Sequence, residues 1–419
     1  MKPVVETQTI EKSVIRRRLT SSTPAASNPQ KAACRMKLLV VTPYVGETYG
    51  GTSKIVKELV SSLSHLDIDV DLVTTCADDG KTLSVPLKTW IVRNNYRVQY
   101  FPCWHRKDFI VSVSLLRWLA QHLQDYDFVH THTLFSPLIS CVHALCRYCD
   151  VPYMVTPHGM LEPWALRYKA WKKYLYFKWI EKPALQHAYS IQVTAAPEQE
   201  HVEALGFEQA RLVPNGLHRS DNERLVSADI FFERFPELAG KRIILFLGRI
   251  DPKKGLDLLA PAFARAHTHH PDSHLVIAGP DSIGFMPKAK AYFVQAGCIE
   301  NVTFAGMLSG DLKQAALSAA DVYVAPSYSE GFSMSVLEGM ASGTACVITT
   351  GCNFPEAVAA DAVHAVDVDA RAIGDALMKC LQDEEAAIAL GKRARRFVFE
   401  NYTWQQSAQK LMASYTSVL

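Results

Sequence analysis

Short, continuous apolar runs, each followed by a stretch with helical periodicity, recur along this chain and leave few folds open to it. The first series is KLLVVTPY (37–44), VDLVTT (70–75), VQYFPC (98–103), FVHTHTL (128–134), YMVTPHG (153–159) and SIQVTA (190–195). Between the first two runs, Ile55, Val56, Leu59, Val60 and Leu63 fall on one face of a helix. A run that is apolar on both faces needs cover on both, as a parallel strand between helices has. LVPNGL (212–217) closes the series, and residues 218–240 are polar and turn-like. A second series follows: RIILFLGRI (242–250), HLVIAGP (274–280), VTFAGML (302–308), VYVAPS (322–327) and ACVITT (345–350). The pattern predicts an α/β chain of two doubly wound, Rossmann-like domains. The expected divisions are a flexible tail over 1–35, a first domain over 36–217, a second over 218–398, and a C-terminal helix over 399–419 that packs back toward the first domain.

At 419 residues the chain exceeds one ordinary core and suits two. A net charge of +2 gives no global field for nucleic acid, and no apolar run has the length of a membrane span. The N-terminal RRR and LTSSTPAASNPQ lack an apolar segment, so neither a secretory signal nor a packed element is expected there, and Met36 is the expected start of the folded unit. The 10 cysteines keep no disulfide rhythm and read as reduced residues of a cytosolic protein. Cys141, His143, Cys146 and Cys149 lie in a helical pattern without a second pair at zinc-finger spacing, so no metal site is expected.

Ligands of doubly wound sheets bind outside the C-terminal strand ends, and the chemically informative residues collect there. RIILFLGRI runs into DPKKG, where Arg249 and Lys254 flank the turn into a helix. Two cations and a helix N-terminus suit a diphosphate, although a solvated basic turn has the same composition. VYVAPSYS runs into EGFSMSVLE. Glu330 precedes the expected helix and Glu338 lies inside it, a separation unlike an acid/base pair on one bond. A carboxylate accepts hydrogen bonds from neighbouring sugar hydroxyls. Two separated carboxylates therefore suit two anchors on one elongated ligand, a ribose and a second sugar, while either one alone also suits a capping or surface acid.

GRIDPKKG followed downstream by APSYSEGFSMSVLEGMASG resembles glycosyltransferase family 4, which has the GT-B fold; TPHGML (156–161), VPNGL (213–217) and the YGGTSK loop resemble the same family. The resemblance runs from about residue 37 to the end. It implies a nucleotide-sugar donor, no cofactor and no metal. It implies that Arg249 and Lys254 hold the diphosphate as it leaves, that Glu338 holds the ribose, and that Glu330 contacts the transferred sugar with backbone N–H groups around Gly331, Phe332, Ser333 and Met334. It places His158 at the sugar from across the cleft, Gly50 and Gly51 beside the phosphates, and Met307 and Leu308 against the base. The family often has glycine where this chain has Ser333, which puts sugar preference in doubt.

Three further signals have two readings each. Asp-x-Asp in DIDVD (67–71) holds a metal in other transferases; at a strand edge, solvated acids are the expectation. His130 and His132 share one face of a strand, either toward the cleft or as satisfied core histidines. In PWALRYKAWKKYLYFKWIEKPAL (163–185), Trp164, Tyr168, Trp171, Leu175 and Trp179 recur at helical spacing beside Lys169, Lys172, Lys173, Lys178 and Lys182. That spacing suits a core-facing stripe or an interfacial patch on anionic lipid headgroups.

The resulting expectation is a retaining hexosyltransferase that moves glucose from UDP-glucose to a hydroxyl on a sugar or lipid-linked glycan acceptor. Its setting would be envelope or exopolysaccharide synthesis, in the cytoplasm or peripherally at the inner face of the plasma membrane, with no nucleic-acid partner. A GT-B nucleotide-sugar epimerase and a non-catalytic nucleotide-sugar-binding protein are the alternatives.

Overall fold

Two sheets carry the chain. The first holds β1 (Met36–Val41), β2 (Ile68–Thr75), β3 (Trp90–Arg93), β4 (Tyr96–Phe101), β5 (Phe128–His132), β6 (Tyr153–Thr156), β7 (Ser190–Val193) and β8 (Ala210–Leu212), in the order β8-β7-β6-β5-β1-β2-β4-β3. Every neighbouring pair is parallel except the edge pair β3–β4. The second sheet holds β9 (Arg242–Leu247), β10 (Ser273–Ala278), β11 (Val302–Gly306), β12 (Val322–Ala325), β13 (Ala345–Thr349) and β14 (His364–Val366), all parallel, in the order β11-β10-β9-β12-β13-β14. This computed structural model describes residues 35–78, 80–106, 109–167, 170–220 and 226–417. The tail expected over 1–34 lies outside them.

The apolar runs behave as their composition requires. Leu38, Leu39, Val40 and Val41 of β1 are fully buried, as are Ile243, Ile244 and Leu245 of β9, because helices cover both faces. The helix α1 (Gly51–Leu63) turns Ile55, Val56, Leu59, Val60 and Leu63 into a core shared with β1. Short antiparallel pieces were not legible beforehand: β3, the pairs Ala77–Asp78 with Lys81–Thr82 and Trp104–Arg106 with Phe109–Val111. Nor was the short parallel strand β14.

Each sheet reverses direction once, between β1 and β5 and between β9 and β12. In such folds the ligand crevice lies at that reversal. Three helices of the second half matter below: α2 (Leu256–His269) after β9, α3 (Gly310–Ala319) after β11, and α4 (Met334–Ser342) after β12. The last helix, α5 (Trp404–Thr416), starts with a Thr403–Gln406 capping box. It buries Trp404, Ala408, Leu411 and Tyr415 in the same core as α1 and β1, so the chain returns from the second sheet to finish on the first. Leu217 and Thr403 form a β-bridge beside it. Upstream of β9, Phe231 and Leu238 are buried in the core of the second sheet.

Candidate active site

Gly50 and Gly51 follow β1, His158 follows β6, Lys254 follows β9 and Glu330 follows β12. The loop after β12 is tied down first. Glu330 N–H donates to the Gly351 carbonyl (2.7 Å), and Asn353 Nδ2 donates to the Glu330 carbonyl (2.6 Å). The Glu330 carboxylate then receives Lys254 Nζ and Ser327 Oγ, both 2.6 Å from Oε1. Burial alone would raise its pKa; Lys254 and Lys253 outweigh that and hold it below the usual carboxylate range. The acid expected at a sugar and the lysine expected at a diphosphate are thus partners in this state. Lys253, which the motif reading passed over, lies 5.3 Å over the Trp164 ring of the first half, and burial pushes its pKa down.

Glu338 is the fifth residue of α4 and Glu330 lies four positions before that helix, so the two acids occupy separate levels. Oε1 of Glu338 accepts from Lys313 of α3 (2.8 Å) and from Lys54 of α1 (2.9 Å). Burial opposes its charge, but the two ammonium groups prevail and its pKa is lowered. Ser333, at the N-cap of α4, makes no side-chain cap, so no N-cap side chain occupies the first-turn N–H groups at the positive end of the helix dipole. A cavity of about 90 Å³ beside Glu338 is lined by Lys54, Glu58, Gln314, Met334 and Trp404 among others.

The first half meets this site at two glycines. A Cβ placed on Gly331 would lie 3.0 Å from Gly159 Cα, and one on Gly159 would lie 3.1 Å from Gly331 Cα. Only residues without side chains permit that approach. His158 has φ 54° and Gly159 φ 74°, so this loop is held in the left-handed region. Glu198 holds it: its Oε1 accepts from Gly159 N–H (2.7 Å), and its Oε2 accepts from the Thr194 N–H (2.8 Å) and hydroxyl (2.9 Å). His158 Nε2 lies 3.1 Å from His132 Nδ1, and burial pushes the His158 pKa down to about 4. The histidine pair of β5 therefore divides. His130 is a satisfied core residue between Tyr415 and Thr156, and His132 backs the His158 loop.

The remaining expected residues fall as follows. Arg249 is exposed near the Lys254 turn, with no side-chain partner among the described residues. Gly50 (φ 72°) and Gly51 border open space. Met307 is exposed, whereas Leu308 is buried in the second core and offers only backbone to a base. The Phe332 ring packs on Tyr402 and Phe354, and Met334 lies between cores. One reading needs correction in part. In the DIDVD stretch Asp67 and Asp69 are exposed, as expected at a strand edge, but Asp71 is buried with Arg97 (2.8 Å from Nε) and Tyr126 (2.7 Å), in the half of β2 away from the crevice. Of the two readings of the aromatic stripe, the core-facing one falls: Trp164, Trp171 and Trp179 are 44%, 68% and 71% exposed, and Leu175 is 47% exposed. Tyr168 and Lys169 lie outside the described residues. No helix among the described residues is long and apolar enough to cross a membrane.

Lys54, Lys253, Lys313, Asn353 and Glu198 join the site only in three dimensions, while His132 meets the cleft-facing alternative of the sequence reading. Lys54 stands in the YGGTSK loop and Lys253 beside Lys254, so position hinted at both; nothing local marks Lys313 or Glu198.

Comparison with known proteins matches this arrangement half by half. Residues 50–216 match the glycosyl transferase 4-like domain model, and residues 228–397 match that of glycosyl transferases group 1. Phosphatidyl-myo-inositol mannosyltransferase of Mycobacterium leprae is 28% identical over 91% of this chain and 97% of its own length. Alpha-maltose-1-phosphate synthase of Mycolicibacterium smegmatis is 26% identical over 91% and 100%. Among solved structures, sucrose-phosphate synthase of Thermosynechococcus elongatus superposes with TM-score 0.74 at 21% identity, covering 92% of this chain and 99% of that one. Anabaena HepE, solved with UDP and glucose, superposes with TM-score 0.73 at 16% identity over 91% and 100%. With both halves matched in order and the crevice between two Rossmann-like sheets, the chain belongs to the group 1 glycosyltransferases of the GT-B fold, and it is a glycosyltransferase.

Proposed function

We propose that the chain is a retaining hexosyltransferase that takes its sugar from a nucleoside diphosphate donor, with UDP-glucose preferred. The observation that carries the reading is the pair of ionised, separately held carboxylates, Glu330 and Glu338, at and within the start of α4, opposite the His158 loop. In this reading Glu338 takes the ribose hydroxyls and Glu330 the hexose. Arg249, Lys254 and the N-terminus of α4 receive the charge that develops on the leaving diphosphate. Lys254 moves from Glu330 to the phosphates as the sugar enters, so the ion pair stands in for the donor. The mannosyltransferase relatives make GDP-mannose the main competitor, and the UDP-bound and UDP-glucose-bound structural neighbours favour UDP-glucose.

The acceptor is a hydroxyl on a sugar or a lipid-linked glycan, in envelope or exopolysaccharide synthesis. Exposed Trp171 and Trp179 with Lys178 and Lys182, on the segment that follows the His158 loop, support peripheral contact with a membrane that carries such an acceptor. The test is a panel of UDP-, GDP- and ADP-hexoses, read as free nucleoside diphosphate. Release from UDP-glucose, lost in Glu338→Ala and Lys254→Ala, supports the reading. Preference for GDP-mannose replaces the donor. Binding with conversion of the sugar but no transfer points to an epimerase, binding without turnover at any acceptor to a sensor, and no binding at all overturns the proposal.

A further inference from the structure

The proton positions along the buried histidine row of the first sheet can be derived from its hydrogen bonds. Thr156 Oγ1 lies 2.8 Å from Gln192 Oε1, which only accepts, because Gln192 Nε2 is spent on the Val213 carbonyl (3.0 Å). The single Thr156 proton therefore goes to Gln192. Its oxygen must accept from His130 Nε2–H at 2.7 Å, and His130 Nδ1 must accept from the Tyr415 hydroxyl, also 2.7 Å away. Every atom in that chain is satisfied with His130 neutral.

The next pair has one proton to share. His132 Nδ1 and His158 Nε2 are 3.1 Å apart, and His132 Nε2 is sealed from solvent without a partner among the described residues. If His158 donated, the proton of His132 would sit on that sealed Nε2 as an orphaned N–H. If His132 donates, only a lone pair is left there. Orphaned buried N–H groups are the rarer of the two in folded proteins. A proton on both nitrogens of His132 is opposed by its burial. His132 is thus the Nδ1–H donor and His158 Nε2 the acceptor. The proton of His158 is left on Nδ1, its other ring nitrogen, which has no protein partner among the described residues and is not sealed.

We propose that His132 is a positioning residue that fixes His158 as the Nδ1–H tautomer, so that a ring N–H, not a lone pair, is offered to a hydroxyl or ring oxygen of the transferred sugar. The identity of that ligand rests on the donor reading above; the tautomer does not. The experiment is long-range proton–nitrogen correlation NMR on the full chain with nitrogen-15 histidine at pH 7.5, with His158 assigned from His158→Asn. The expected pattern has Nδ1 protonated and Nε2 bare in the wild type, a form that free imidazole does not favour in water. His132→Asn, whose amide retains a donor near Nδ1, should keep this pattern and keep kcat within about three-fold. His132→Leu should move His158 toward Nε2–H and lower kcat roughly ten-fold, with the donor KM changed much less. His158 found as Nε2–H in the wild type, or unchanged in His132→Leu, overturns the proposal. Absence of turnover by the wild type on every donor would instead sink the functional reading and leave the NMR result as the test of the tautomer.

Discussion

Lys54 Nζ, on α1 of the first domain, lies 2.9 Å from Glu338 Oε1, on α4 of the second. Lys313 Nζ occupies the same oxygen at 2.8 Å, and no protein hydrogen bond among the described residues reaches Oε2. One carboxylate oxygen therefore carries both lysines, one from each half of the chain, and a donor-binding role for the other is what the variants below test. Lys54 is 52% exposed on its side chain, so its pairing contributes little by itself, about 0–1 kcal/mol. Lys54→Met should weaken UDP binding by no more than about five-fold. Glu338→Gln removes a charged acceptor worth roughly 1.5–3 kcal/mol and should weaken it ten-fold or more. Because the two residues touch, the double variant should lose less than the product of the single losses. Titration calorimetry of the three variants with UDP checks this. Equal affinity in Glu338→Gln and the wild type would remove Glu338 from the donor site.

Gly331→Ala tests the contact between the halves. The added methyl would lie 3.0 Å from Gly159 Cα, tighter than nearly all real contacts, and backbone on both sides leaves nothing flexible to yield. Gly331 is not in the left-handed region, so alanine costs no local backbone strain. The expected result is a shift of a few tenths of an ångström between the loops that carry His158 and Glu330. Turnover should fall roughly ten-fold through misplaced reacting groups, with thermal stability nearly unchanged. Wild-type turnover together with a wild-type melting curve would show that the two glycines need not meet during reaction.

The residues explain why some of this was legible in sequence and some was not. The strands could be read because they are buried on both faces, so no alternation of apolar and polar residues enters them: Leu38, Leu39, Val40 and Val41 are all apolar and all buried. The ends of β6, β9 and β12 could be read because glycine, proline and charge break those runs. Lys313 could not, and for Lys54 only its place beside the YGG glycines hinted at a role, since each meets Glu338 only when helices from different parts of the chain converge. Sequence left His132 open between core and cleft because it is both: it is buried, and it meets the cleft only through the left-handed turn at His158. The stripe at 163–185 shows the limit of periodicity: helical spacing fixes that aromatics share a face, not which way the face turns.

Acid should unfold the protein through its histidines. Burial pushes His130 and His143 down to about 3, and each has no exposed surface. Unfolded, they titrate near 6.5. Below that value the unfolded state binds more protons, so this part of the stability is intact above pH 6.5 and lost as pH falls from 6.5 toward 3. At pH 5 the loss is about 2 kcal/mol for each of the two. Urea midpoints measured at pH 7.5 and pH 5 should fall together with proton uptake on unfolding. His143→Asn should narrow the gap between the two pH values, and a gap unchanged in that variant would place the acid sensitivity elsewhere.

Glu181 should act in the opposite sense. It closes a π-helical turn, Phe177–Glu181, with no exposed surface. Its Oε1 accepts from the Phe135 N–H (2.6 Å), while Oε2 is buried without a partner among the described residues. Burial pushes its pKa up to about 7, against the hydrogen bonds from Phe135 and Ser140. The folded state therefore holds a proton that the unfolded state releases near 4.5. Stability from this group is full below about pH 4.5 and falls as pH rises toward 7, by on the order of 3 kcal/mol. Glu181→Gln keeps the acceptor for Phe135 and removes the charge. It should match the wild type near pH 5 and exceed it at pH 8 in the urea midpoint. Subtracting the two curves cancels the histidine contribution, which both proteins share. A variant less stable than the wild type at pH 8 would mean that the Glu181 carboxylate is ionised and satisfied in the native protein, and that the buried Oε2 has a partner.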